Sequence, residues 1–130
     1  MKKRNRIIYW VATVWLALGM LSTGIVQLLR AKEGQGGADM ITHLGYPLYF
    51  LTIVGAWKIV GVAALLIGKN SLLKEWAYAG FFFLMTGALF SHVLSGDRLT
   101  ESLPSLLLLV LTLMSWYFRP EGRRVVLAQN

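Results

Sequence analysis

The chain alternates between long apolar runs and short polar breaks. From Ile7 to Leu29 no residue carries a formal charge, and Arg30-Ala31-Lys32 closes the run. An α-helix rises about 1.5 Å per residue and a bilayer's hydrocarbon core is about 30 Å thick, so this stretch is long enough to cross. A signal peptide also opens on a basic segment such as MKKRNR, but its apolar region is about 7 to 15 residues and ends in a small-residue cleavage site. The run therefore reads as an uncleaved spanning helix, about 7–29. Further runs predict spans at about 48–67, 74–94 and 101–118.

Breaks between the runs carry ordinary stop and start signals. Gly68 ends the second span, and Asn70 or Ser71 caps the third. Ser95-Gly96-Asp97-Arg98 reads as a turn, Pro104 is expected in the first turn of the fourth span, and Arg119-Pro120 ends it. The long outer connection, 30–47, has Gly34, Gly36 and Gly37, then Met40 to Leu44 as a turn of interfacial helix before Gly45 and Pro47. Loops beyond roughly 12 to 15 residues are uncommon without a role, so this segment is expected to fold over the helices as a lid or to stay loose. Gly19, Gly24, Ala77, Gly80, Gly87, Ala88 and Ser91 are expected where helices approach closely. The expected fold is all-α, a four-transmembrane-helix bundle forming a single integral membrane domain over 1–130.

Charge then orients the bundle. Four spans put the N-terminus, the 68–73 connection and the C-terminus on one side, with Lys2, Lys3, Arg4, Arg6, Lys69, Lys74, Arg119, Arg123 and Arg124. Only Arg30, Lys32 and Arg98 fall on the other. The positive-inside rule predicts both termini in the cytoplasm, N-in/C-in, of a bacterial inner membrane.

Composition agrees with this picture: 56% of residues are hydrophobic and 15% charged, against roughly 25% charged in typical globular chains. A net charge of +7 raises the question of nucleic acid. The basic residues flank apolar runs instead of mixing with polar and aromatic ones, so topology explains them and no nucleic-acid partner is expected. With no cysteine, the chain holds no disulfide framework, thiolate metal site or dithiol redox pair. It has no phosphate loop, nucleophile elbow, metalloprotease motif or haem-attachment signature.

The candidate chemistry is therefore a handful of polar residues in apolar surroundings. Lys58 lies near the middle of the second span, where a lysine costs roughly 2.5 to 3.5 kcal/mol on insertion scales and usually faces the interior or a wet cavity. It reads as a ligand contact or proton relay, as half of a structural pair with Glu75, or as a snorkelling side chain. Glu75, in the first turn of the third span, is also well placed by the helix dipole alone. His43 and His92 share the outer side with Asp39 and Asp97. Such a group can relay protons or hydrogen-bond a quinone carbonyl, or His92 can simply suit a helix C-terminus. Two histidines without a fixed local spacing do not read as a metal site, and none is expected. Tyr46, Tyr49, Trp57, Trp76, Tyr78 and Phe81 to Phe83 could line a pocket for a flat ring or serve as lipid-facing aromatics.

HLGYP at 43–47, GAWKIVG at 55–61, LKEWAYAG at 73–80, GALFSH at 87–92 and GD at 96–97 resemble the DoxX-like family of small bacterial membrane proteins. The resemblance spans most of residues 9 to 119 and implies a four-helix transmembrane bundle. The wider group includes subunits linked to thiosulfate:quinone oxidoreduction and to membrane redox complexes. By position, His43, Pro47, Lys58, Glu75, Trp76, Tyr78, Gly80, Gly87, Ser91, His92 and Asp97 match the family pattern. The expectation is a bundle that binds a hydrophobic or quinone-like ligand as a redox-associated accessory subunit, with quinone as cofactor and a membrane redox protein or a second copy of the chain as partner. The isolated chain is not expected to hold a self-contained catalytic motif. The alternatives are a lipid or small-molecule transporter and a purely structural assembly subunit.

Overall fold

A computed structural model describes residues 2–29, 37–67 and 70–120. Its elements are α1 (Lys3–Leu28), α2 (Ala38–His43), α3 (Tyr49–Leu66), α4 (Ser71–Leu94) and α5 (Leu99–Tyr117). Among the described residues, α1, α3, α4 and α5 are long and apolar enough to cross a membrane. The flanking basic residues 30, 32, 69, 123 and 124, and the glycines 34, 36 and 68, lie outside the described residues.

The helices begin where local chemistry lets them. α1 extends back to Lys3, because lysine and arginine are good helix formers and their long stems keep the charge in the interface. α4 starts at Ser71, since the Asn70 side chain accepts the Leu73 N–H at 3.1 Å and satisfies an orphan donor. α5 starts at Leu99, so Pro104 falls in its second turn and not its first, and the N–H that would have bonded the Thr100 carbonyl is missing. The turn of helix expected near 40–44 is α2, whose only buried side chain is Ile41.

The long helices form a ring: α1 packs on α3 and α5, and α4 packs on the same two. α1 and α3 meet most closely at Gly24 and Gly55. A Cβ on Gly55 would lie 2.7 Å from the Gly24 carbonyl oxygen. In lipid, where apolar surface gives helices no reason to associate, such contact and interior hydrogen bonds hold the bundle. Gly19 admits Leu108, and Gly61 admits the Phe81 ring. Gly80 and Gly87, expected at tight crossings, instead face open space.

The apolar core joins Leu16 and Met20 of α1, Val62 and Leu65 of α3, and Tyr78, Phe81 and Met85 of α4. Large apolar side chains such as Trp15, Leu18, Phe83 and Leu107 point outward, the inverse of a soluble protein and the arrangement lipid requires. Near the chain termini, a buried Thr13 hydroxyl meets the Ser115 hydroxyl at 2.6 Å, and Tyr78 reaches the same Ser115 at 2.7 Å. Three helices are thereby tied through one oxygen.

Candidate functional site

Lys58 decides the interior. Its side chain is 5% exposed, and its Nζ donates to Thr23 Oγ1 of α1 at 3.0 Å. The contact follows from the Gly24–Gly55 crossing: a Cβ on Gly24 would sit 3.2 Å from Lys58 Cβ, so only glycine lets α1 come this near. Thr23 in turn donates to the Gly19 carbonyl at 2.8 Å, which leaves its oxygen lone pairs toward the ammonium. The ammonium is thus sheltered from lipid.

Glu75 is not its partner. Glu75 Oε1 lies 2.7 Å from Arg119 Nε, and Oε2 accepts the Trp116 indole N–H at 3.0 Å. The Arg119 guanidinium also stacks over the Trp116 ring, 4.7 Å from its centroid. This cluster joins the head of α4 to the end of α5 at the terminal end of the bundle. The structure therefore separates Lys58 and Glu75 into two sites, one at the middle and one at the edge.

Lys58 stands between two cavities. On one side is an apolar groove of about 320 Å³ between α3 and α4, with Trp57, Gly61, Trp76, Gly80 and Phe81 among its lining residues. Trp57 and Trp76 are largely exposed at its rim. On the other side is a chamber of about 70 Å³ inside the ring, lined by Thr23, Gln27, Lys58, His92 and Ser105 together with apolar side chains. Tyr78 belongs to neither. It faces the Thr13–Ser115 network and a separate outer cleft with Glu75 and Trp116, so the aromatics read together from the sequence sit on different faces.

At the end of the bundle that carries α2, Asp97 bridges two histidines. Its Oδ1 lies 2.6 Å from His43 Nε2 and its Oδ2 lies 2.7 Å from His92 Nδ1. Both neighbouring glycines make this possible. Gly96 (φ +77°) closes α4 with Gly96 N–H to Val93 O and Asp97 N–H to His92 O, which folds Asp97 back over His92. Gly45 (φ +87°) closes α2 the same way, with Gly45 N–H to Thr42 O and Tyr46 N–H to Ile41 O. Tyr46 then reaches the Ser91 hydroxyl. The Asp97 carboxylate is 6% exposed, His92 3% and His43 58%, so the triad runs from the interior to the surface.

The histidine hydrogen bonds, His43 first, hold the Asp97 carboxyl below its ordinary value, and the Asp97 hydrogen bond raises His43. Glu101 adds a weaker pull on His43. Ligand atoms of His92, Asp97 and Glu101 lie within 4.8 Å of one another, a grouping that could hold a cation, although both Asp97 oxygens already accept from imidazoles. Asp39, read from the sequence in the same layer, is exposed in the first turn of α2 and joins no contact described for this triad.

Lys74 was legible only as a flanking charge. It is 2% exposed, and its Nζ donates to the carbonyls of Ala64, Leu65 and Ile67 at 2.7, 3.2 and 3.1 Å. It caps the C-terminus of α3, where orphan carbonyls and the dipole favour a cation.

An apolar exterior, a ring of antiparallel spans, a mid-span ammonium and a His–Asp–His bridge define a small multi-pass membrane protein with a few polar groups set inside an apolar core. The chain belongs to the DoxX-like family, whose model matches residues 11–115. It is similar to the uncharacterized protein YdgD of Bacillus subtilis (strain 168), 35% identical over 81 residues, covering 62% of this chain and 68% of that protein. No solved structure matches it.

Proposed function

We propose that this protein binds a membrane-soluble ligand with a flat, polar head, of the quinone class, in the groove between α3 and α4. The supporting observation is that a buried lysine stands in the wall of an otherwise apolar groove open to the lipid side. An ammonium carries three N–H donors, and Thr23 accepts one, which leaves donors for a carbonyl oxygen. Trp57 and Trp76 at the rim offer faces for a ring, and Gly80 leaves the floor open. With no cysteine and no catalytic motif of its own, the chain would serve a membrane redox partner as an accessory subunit. The charge distribution favours a bacterial inner membrane with both termini cytoplasmic, which puts α2 on the outer face.

Titration of the protein in lipid nanodiscs with a short-chain benzoquinone or naphthoquinone tests this. Tryptophan quenching should saturate, and Trp57→Phe or Trp76→Phe should reduce its amplitude. Lys58→Met should weaken binding by roughly ten- to a hundredfold, the equivalent of a charged hydrogen bond of about 1.5–3 kcal/mol. Quenching that is linear in quinone, or unchanged by Lys58→Met, would leave the structural-subunit reading in its place.

A further inference from the structure

The chamber on the inner side of Lys58 is lined by two residues whose polar groups have unused hydrogen-bonding capacity. Gln27 is 4% exposed and its Oε1 has no hydrogen-bond partner among the described residues. Lys58 has donors beyond the one that Thr23 accepts. A buried carbonyl and a buried ammonium left this way in an apolar bundle are costly, and the cavity of about 70 Å³ that they share with Thr23, His92 and Ser105 has room for more than one water, each needing 2–4 polar partners. His92 lines the same chamber, and its Nδ1 is already engaged by Asp97.

We infer that the hydrated chamber and the His92–Asp97–His43 bridge form a proton-exchange path between Lys58 and the water at the α2 end of the bundle. The groups along it are continuous. Lys58, Gln27 and His92 share the chamber, His92 Nδ1 and Asp97 Oδ2 are 2.7 Å apart, and Asp97 Oδ1 and His43 Nε2 are 2.6 Å apart. His43 ends the path in solvent, being 58% exposed. A proton accepted by His92 Nε2 from chamber water sends the Nδ1 proton to Asp97 Oδ2. His43, starting as the imidazolium, keeps its Nε2–H on Oδ1 and releases its Nδ1 proton to bulk water as the carboxylate beside it is neutralised. One proton enters and one leaves. Among the described residues, Glu101, on α5, is the remaining acid close to this group, and no acid lines the chamber. Among the described residues the terminal end offers no equal route, because Lys74 donates to α3 carbonyls and Glu75 is engaged by Arg119 and Trp116. That a bound head group would draw its protons from the α2 side rests on the binding role proposed above. The path itself does not.

The test uses ligand-free protein in nanodiscs with 15Nζ-labelled lysine, reading ammonium hydrogen exchange with water by NMR. Lys58 should exchange measurably in the wild type and about tenfold or more slowly in His92→Leu, with Asp97→Asn slowed as well, because removal of a relaying acid–base group typically costs at least that much. Lys74 is the internal control: its exchange should not move, which also reports that the bundle is intact. Equal Lys58 exchange in wild type, His92→Leu and Asp97→Asn overturns the path, and so does a wild-type Lys58 that does not exchange at all. Since no quinone is present, failure here is distinct from failure of ligand binding.

Discussion

At the scale of single residues, the positions that matter are ionisable groups whose neighbours define their state. Asp97 binds α2 to the bundle only while it is ionised and His43 carries its donor. His43 is raised above its ordinary 6.5, so its contribution is complete below that value and is lost as pH rises through the higher folded value. Asp97 is held below its ordinary 3.8, so its contribution is present above that value and lost as pH falls through the lower folded one. The α2 tie is therefore strongest from about the ordinary carboxylate value to about the ordinary histidine value. Amide protection factors at Ile41 and Thr42, with the base-catalysed intrinsic rate divided out, should be highest in that window and lower on its alkaline side, and Asp97→Asn should flatten the profile. A profile unchanged by Asp97→Asn would show that other contacts hold α2.

Lys74 gives a residue-scale prediction of the opposite kind. Lys74→Met leaves three helix-terminal carbonyls without their buried cation and should destabilise the bundle by about 2–4 kcal/mol, read from thermal or detergent unfolding. A change below about 0.5 kcal/mol, typical of a surface charge, would contradict the cap.

At the scale of elements, the glycines divide into those that hold helices together and those that leave room. Gly55 belongs to the first group. Gly55→Ala would press a methyl against the Gly24 carbonyl and the Leu28 backbone, separate α1 from α3, and cost about 1–3 kcal/mol. The Lys58–Thr23 bond would go with it. Gly80 belongs to the second. Nothing lies within 4 Å of a Cβ there, so Gly80→Leu should leave stability unchanged while filling the groove and abolishing quinone binding. If Gly80→Leu binds as well as the wild type, the ligand lies elsewhere.

The sequence expresses these elements unevenly. The long helices were legible because lipid permits so little: an uncharged run either spans or is not there, and Asn70, Gly45 and Gly96 mark ends through chemistry local to the chain. The His43–Asp97–His92 group was half legible, since topology placed all three residues at one end. What joins them is a pair of glycine-closed helix ends whose consequence is three-dimensional. The partner of Lys58 was not legible. Helix rotation chooses between Thr23 and Glu75, and a threonine inside an apolar run gives no sign of accepting from a lysine on another helix. Lys74 was hidden for the same reason, because a lysine at a helix head reads as an interfacial charge until the neighbouring helix end is seen above it.

At the scale of the whole molecule, the ring of α1, α3, α4 and α5 leaves an asymmetric interior. The terminal end is closed by the Thr13–Ser115–Tyr78 network and the Glu75–Arg119–Trp116 cluster. The α2 end holds the chamber and the histidines. Lys58 lines both the chamber and the groove, so one buried lysine borders the interior cavity on one side and a lipid-accessible groove on the other. That position makes the protein a candidate for handling a ligand that lives in lipid but exchanges protons with water, and it accounts for a lysine kept where insertion is costly.

Photoaffinity labelling with an azidoquinone in native-like membranes, read by peptide mass spectrometry, tests the groove most directly. The label should concentrate on the α3 and α4 segments around Trp57, Lys58 and Trp76 to Phe81, and excess unlabelled quinone should compete it away. Label spread evenly over outward-facing residues such as Leu18, Phe83 and Leu107, and indifferent to competitor, would contradict the assignment.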